Sequence, residues 1–248
     1  MSVKNVKLVI EYDGTHYHGW QPQDNAVSVQ RTIEQAVDGI VPDEKCKLTG
    51  CSRTDFGVHA FGQVANFHTG SSIPPEKFAP ALNRVLPEDI AIVSSEQVPD
   101  DFHARFDATG KKYRYQIYNS KFRSALLRHR ACHVSGELDA EKMNRAASFL
   151  VGRHDFSAFQ ATGSTARNPV RTIWTCSVTR DERIVTIDIS GDGFLYNMVR
   201  IIAGTLIDIG KGKVDADSMP AIIASQERKS AGRTAPSQGL YLVEIYYE

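Results

Sequence analysis

β-Branched and aromatic runs alternate along this chain with apolar stripes at helical spacing, and their order is the strongest constraint on what it can fold into. Lys7-Leu8-Val9-Ile10-Glu11-Tyr12 reads as a strand and runs into Asp13-Gly14, a turn signal. Val29, Ile33, Ala36, Val37 and Ile40 recur at helical spacing, with Ser28 placed to cap the helix. Strand-like runs at 46–49 and 63–68 follow. A helix is predicted around 76–85, where Pro80 requires a kink or a late start, and then a strand over 89–98. The order is β-α-β-β-α-β.

The same order comes again. Residues 111–118 read as a strand with Tyr113, Tyr115 and Ile117 on one face, and Asp139 can cap a helix carrying Met143, Ala147, Leu150 and Val151. Two β-rich runs, 172–179 and 184–190, flank Arg180-Asp181-Glu182-Arg183, a hairpin signal. Leu195, Val199, Ile202, Leu206 and Ile209 form a helical stripe, a short helix is expected at 218–224, and the last strand at 240–247. The fold class this predicts is α/β, more strictly α+β. Two ferredoxin-like halves, 1–105 and 106–248, would join into a mainly antiparallel sheet with helices on one face and a central cleft.

Length and charge narrow what such a chain does. The 248 residues suffice for one large domain or two small ones, and 42% hydrophobic with 23% charged residues is ordinary for a globular protein. No apolar run approaches a membrane span, and the first seven residues lack the apolar core of a secretory signal. Cys46, Cys51, Cys132 and Cys176 show no paired framework and no zinc spacing, so reduced thiols in a cytoplasm are expected. His16 and His18 have no acid or thiol to complete a metal set. The net charge is zero, but residues 1–105 carry 9 Lys+Arg against 14 Asp+Glu, and residues 106–248 carry 20 against 15. A basic second half fits a polyanion tracking one face, and equally a surface of uneven charge.

Gly50-Cys51-Ser52-Arg53-Thr54-Asp55-Phe56-Gly57-Val58-His59-Ala60 puts a carboxylate in a short loop between two strands, with glycines giving backbone freedom on either side. Arg53, two residues away, is near enough to favour its ionised form. Spacing alone favours an ordinary turn Asp. The stretch is nonetheless similar to the active-site motif of the tRNA pseudouridine synthase A family. Glu11-Tyr12-Asp13-Gly14-Thr15-His16-Tyr17-His18-Gly19-Trp20-Gln21 resembles that family's N-terminal signature, although buried packing explains its aromatics as well. Lys111-Lys112-Tyr113-Arg114-Tyr115, the run from Gly152 through Phe159, that from Ser190 through Arg200, and Thr234-Ala235-Pro236 with Gly239-Leu240-Tyr241-Leu242 resemble further family stretches. The last is read as structural.

The resemblance implies the pseudouridine synthase fold and an isomerase that needs no cofactor and no metal. It implies tRNA as substrate, with modification at positions 38–40 of the anticodon arm, and a homodimer. Carried over residue by residue, it makes Asp55 the catalytic carboxylate, Tyr113 the ring that packs on the extruded base, and Arg200 an arginine paired with the aspartate. Arg53 would assist in holding the substrate, and Lys111, Lys112 and Arg114 would meet phosphates, as basic residues interleaved with aromatics can. Phe56 departs from the small residue many relatives have, which bears on substrate breadth. No Walker run and no G-x-G-x-x-G occurs. Two rivals are a non-catalytic RNA-binding protein and a glycoside hydrolase, which would need a second acid from among Asp13, Asp155 and Asp192.

Overall fold

Val6, Leu8 and Ile10 alternate along the first apolar run and are fully buried, which fixes strand β1 (Lys4–Tyr12) at the heart of the first unit. The computed structural model describes residues 3–163 and 168–248. Helix α1 (Val29–Ile40) begins where Ser28 turns its hydroxyl to the Arg31 N–H, a cap worth about 1 kcal/mol, and buries Val29, Ile33 and Val37. Strand β2 is only Thr49–Gly50; β3 (His59–Thr69) is long and buried on both faces. A 3-10 turn at Pro75–Lys77 leads into the short helix α2 (Phe78–Leu82). Pro80 lies in its first turn, where the missing N–H is not needed, so the late start is the form taken. Strand β4 (Ile90–Val98) follows.

In this unit β1 lies between β4 and β3, antiparallel to both, with Leu8 opposite Ala65 on one side and Ser95 on the other. β2 pairs with β3, and the last strand, β10 (Leu240–Tyr246), also neighbours β3. Leu242–Glu248 cluster with Met1–Thr109 as one compact unit, and Gly110–Tyr241 form the other. A boundary at 105/106, as the sequence suggests, leaves the last strand with the second half. Thr109 N–H bonds Tyr246 O at 2.9 Å, and the Tyr247 hydroxyl bonds Ala104 O at 2.6 Å. Two buried asparagines tie the loop before the boundary: Asn66 Nδ2 donates to Asn5 Oδ1, while Asn5 Nδ2 donates to Pro99 O and Phe102 O.

The second unit has strands β5 (Gly110–Asn119), β6 (Cys132–Val134), β7 (Gly152–Asp155), β8 (Val170–Asp181) and β9 (Ile184–Gly191). β5, β9, β8 and β7 are successive antiparallel neighbours, and β6 adds to β5 in parallel. Tyr113, Tyr115 and Ile117 share one face of β5 and are buried, Tyr113 the least completely. The β8–β9 hairpin is tighter than the four residues expected, because Arg180 and Asp181 continue the strand and Glu182 takes the left-handed conformation (φ 48°). Helix α3 (Ala140–Ser148) is capped by Asp139, which accepts from Lys142 N–H. Helix α4 (Met198–Gly210) is buried almost all round rather than along one stripe, and the short α5 (Met219–Ser225) follows it. The whole is a mixed α+β protein with mostly antiparallel sheet. Among the described residues no helix is long and apolar enough to cross a membrane.

Candidate active site

The loop from Cys51 to Val58 is held at its root by a side chain. Gln63 is fully buried on β3; its Oε1 accepts the Ser52 N–H at 3.2 Å and its Nε2 donates to Ser52 O at 2.7 Å. The amide thus replaces the sheet neighbour that Ser52 has lost by leaving the strand. The segment after β1 grips the next turn. Trp20 N–H bonds Thr54 O at 3.1 Å, the Tyr12 and Thr54 hydroxyls are 2.8 Å apart, and Gly57 N–H bonds Tyr17 O at 3.4 Å. Gly19 is required here: its φ is +87°, and a Cβ would come within 2.3 Å of Thr54 O. Trp20 and Tyr17 are buried, so this aromatic segment serves packing, and what it packs is the loop. Burial, and then the 2.6 Å bond from its hydroxyl to Asp89, hold Tyr17 protonated well above its ordinary range.

Asp55 therefore stands half-buried on a loop fixed from two sides, its carbonyl accepting Val58 N–H at 3.2 Å in a tight turn. Arg53 is exposed and has no ion-pair partner among the described residues, so nearness in sequence does not become a salt bridge with Asp55. Phe56 is 55% exposed, its ring 5.2 Å from that of His18. His59, buried, accepts the Gly14 N–H on Nδ1 at 3.0 Å.

In the second unit, Tyr113 lies on β5 opposite Ile189 with its ring edge-on to Phe194 at 5.1 Å. Lys111 shares that face, and Lys112 and Arg114 share the other. Arg114 forks onto Asp188 across the β5–β9 pair, Nε to Oδ1 at 2.9 Å and the second nitrogen to Oδ2 at 3.0 Å, and this bond raises the arginine further above its ordinary value. Arg200, on α4, is held by its neighbours: Nε donates to Ala235 O at 2.8 Å and a terminal nitrogen to Asn197 Oδ1 at 2.7 Å. Ala235 N–H returns a bond to Arg200 O at 3.0 Å. The adjoining Pro236 O accepts the Tyr115 hydroxyl at 2.7 Å. The Thr-Ala-Pro run is thus a bracket for Arg200 and Tyr115. Gln63, Phe194 and Asn197 do not stand out in the sequence; for Gln63 the only signal is an amide where a β-strand's buried face expects an apolar side chain.

The other acids are occupied. Asp13 Oδ1 takes the Thr15 N–H at 3.0 Å, Asp155 Oδ1 takes the Ser157 N–H at 2.8 Å and its hydroxyl at 2.6 Å, and Asp192 Oδ1 takes the Thr172 N–H at 2.9 Å. Each caps a turn or strand end, as Asp commonly does. No group of three or more His, Cys, Asp or Glu among the described residues could hold a metal ion.

The two units present a mixed α+β frame, a braced loop that carries one carboxylate, and a strand on which basic and aromatic side chains interleave. A model of the tRNA pseudouridine synthase family matches residues 8–107 and 146–248. Proteins named tRNA pseudouridine synthase A from Acetivibrio thermocellus and Ruminiclostridium cellulolyticum are 62% and 55% identical over 245 and 246 residues, each covering 99% of this chain and 100% of the relative. A third so named, from Thermoanaerobacter sp. (strain X514), is 49% identical over 245 residues, with the same coverage. The chain belongs to the tRNA pseudouridine synthase family. It is an isomerase that converts uridine in tRNA to pseudouridine.

Proposed function

We propose that this isomerisation takes place in the anticodon arm, at positions 38–40, with Asp55 as the one catalytic carboxylate. In the reaction the bond from ribose C1′ to uracil N1 breaks, the base turns, and C1′ joins C5. The hydrogen from C5 leaves to solvent and N1 takes one up, so no redox partner is required. A carboxylate can attack C1′, stabilise positive charge there, or remove the C5 proton. The target uridine has to leave the stack first. Tyr113 is assigned to the face of the extruded base, and Arg53 and Arg200 to holding the substrate. Lys111, Lys112 and Arg114 are assigned to phosphates, Arg114 with its fork already shared with Asp188. Homodimeric assembly and a cytoplasmic location belong to the same proposal and rest on the family resemblance.

The observation that carries the reading is the bracing of the Asp55 loop by Gln63, Trp20 and Tyr12 while Asp13, Asp155 and Asp192 serve as caps. Preorganisation of one acid is what a single-carboxylate reaction needs. The test uses tRNA tritiated at uridine C5. Wild type should release tritium to water from the anticodon arm, and Asp55→Asn should release none while still binding tRNA. Equal release by the variant refutes the assignment.

A further inference from the structure

The loop joining β5 to β6 has no role in the assignments above, yet it carries four cations, Lys121, Arg123, Arg128 and Arg130, and no acid. With Lys111, Lys112 and Arg114 of β5, residues 108–136 hold seven Lys and Arg and not one Asp or Glu, in a protein where the two classes number 29 each. The loop is built rather than loose. Ser124 Oγ accepts the Leu127 N–H at 3.1 Å, Leu127 O accepts the N–H groups of Arg130 and Ala131, and the Tyr241 hydroxyl fixes Arg130 O at 2.6 Å. His133 Nε2 donates to Ser120 O at 2.9 Å.

Under this loop is a cavity of about 220 Å³ lined by Tyr118, Arg123, Ser124, Arg128, His133 and Gln238 among others, none of them acidic. Arg123 is exposed and has no hydrogen-bond or ion-pair partner among the described residues. Arg128 spends one nitrogen on Ala125 O at 2.6 Å and keeps the rest of its fork. Arg183 brings another cation to the rim, 3.4 Å from the Tyr118 hydroxyl. We propose that this cavity binds a phosphodiester of the RNA substrate, reading backbone and not bases. The proposal rests on the tRNA reading above. Guanidinium forks match phosphate oxygens two at a time, and the Tyr and Ser hydroxyls supply further donors. No carboxylate competes with the anion. Phe122 and Leu126 stand exposed on the same loop and would equally suit a protein surface. The four cations of the loop itself, Lys121, Arg123, Arg128 and Arg130, have no acidic residue among them or along the cavity, which suits a polyanion better than a second, neutral copy of this chain.

The experiment compares Arg123→Ala, Arg128→Ala and the double variant with Arg145→Ala, an equal charge loss at an exposed pair with Asp217. Each single change should raise KM and Kd for tRNA about tenfold with kcat unchanged, as loss of a charged hydrogen bond does. The slope of log Kd against log salt should become shallower by about 0.7–0.9 for each phosphate left without its arginine. Arg145→Ala should match the parent in both. A double variant with parental KM and parental salt slope overturns the proposal, as does light scattering that shows the variants altering oligomeric state with the slope unchanged. Should the parent itself release no tritium, the isomerase reading fails, and the tRNA salt slope still decides this site.

Discussion

Gln63→Leu isolates what holds the Asp55 loop, because it keeps the size of a fully buried side chain and removes its amide. The Ser52 N–H and C=O, bonded at 3.2 and 2.7 Å in the parent, would then face an apolar group in a site where Ser52 is 3% exposed. A buried unpaired polar group costs about 1–3 kcal/mol, so two give roughly 2–5 kcal/mol, less whatever a small shift of the loop restores. Taking about 3 kcal/mol, local opening becomes on the order of a hundredfold more frequent. Hydrogen exchange of the peptide spanning 51–58 reads this directly, with exchange at α1 as an internal reference. Tritium release should fall with it through kcat, since the loop spends less time in working geometry. Exchange at Ser52 within about threefold of the parent would refute the view that this amide stands in for a missing strand.

Gly19→Ala places a side chain at φ +87° and a Cβ against Thr54 O, so thermal melting should drop by several degrees, corresponding to at least about 2 kcal/mol; an unchanged melt contradicts the close approach. Asp188→Asn leaves Arg114 without its bidentate partner, but both side chains are partly exposed (35% and 25%), so urea unfolding should show a loss of no more than about 1 kcal/mol that shrinks in high salt. The Cys46 and Cys176 thiols are pushed up to about 12 by burial. Their folded pKa values are raised, so the stability linked to them is complete below about pH 9 and is lost as pH climbs towards 12. Urea midpoints should therefore fall more steeply over that range in the parent than in Cys46→Ala/Cys176→Ala.

Much of the architecture could be read from the chain because its signals are local. Ser28 and Asp139 cap helices where a hydroxyl or carboxylate precedes an apolar stripe, and Pro80 dictates a late helix start. β6 and β7, at three and four residues, are too short for a period of two to register, and the sequence assigns no element to the run after α3 that forms an edge strand on β8. The stripe on α4 understates its burial because Gly204 lets Arg233 O press against the other side. Partnerships across long separations were not legible. Arg114 meets Asp188 74 positions away, and Arg200 is held by a carbonyl 35 positions on. The Asp55 loop itself was visible as a motif, but its dependence on Gln63 is a matter of three-dimensional pairing that no spacing rule encodes.

The return of Leu242–Glu248 to the first unit sets a timetable for synthesis. A ribosome working at roughly 5–20 residues per second must make all of Gly110–Tyr241 before β3 receives its last neighbour. Until then the unit bearing Asp55 waits with a sheet edge open, and that nascent edge is where a chaperone would have most to shield. Proteolytic trimming of Leu242–Glu248 would by the same logic injure the far end of the polypeptide.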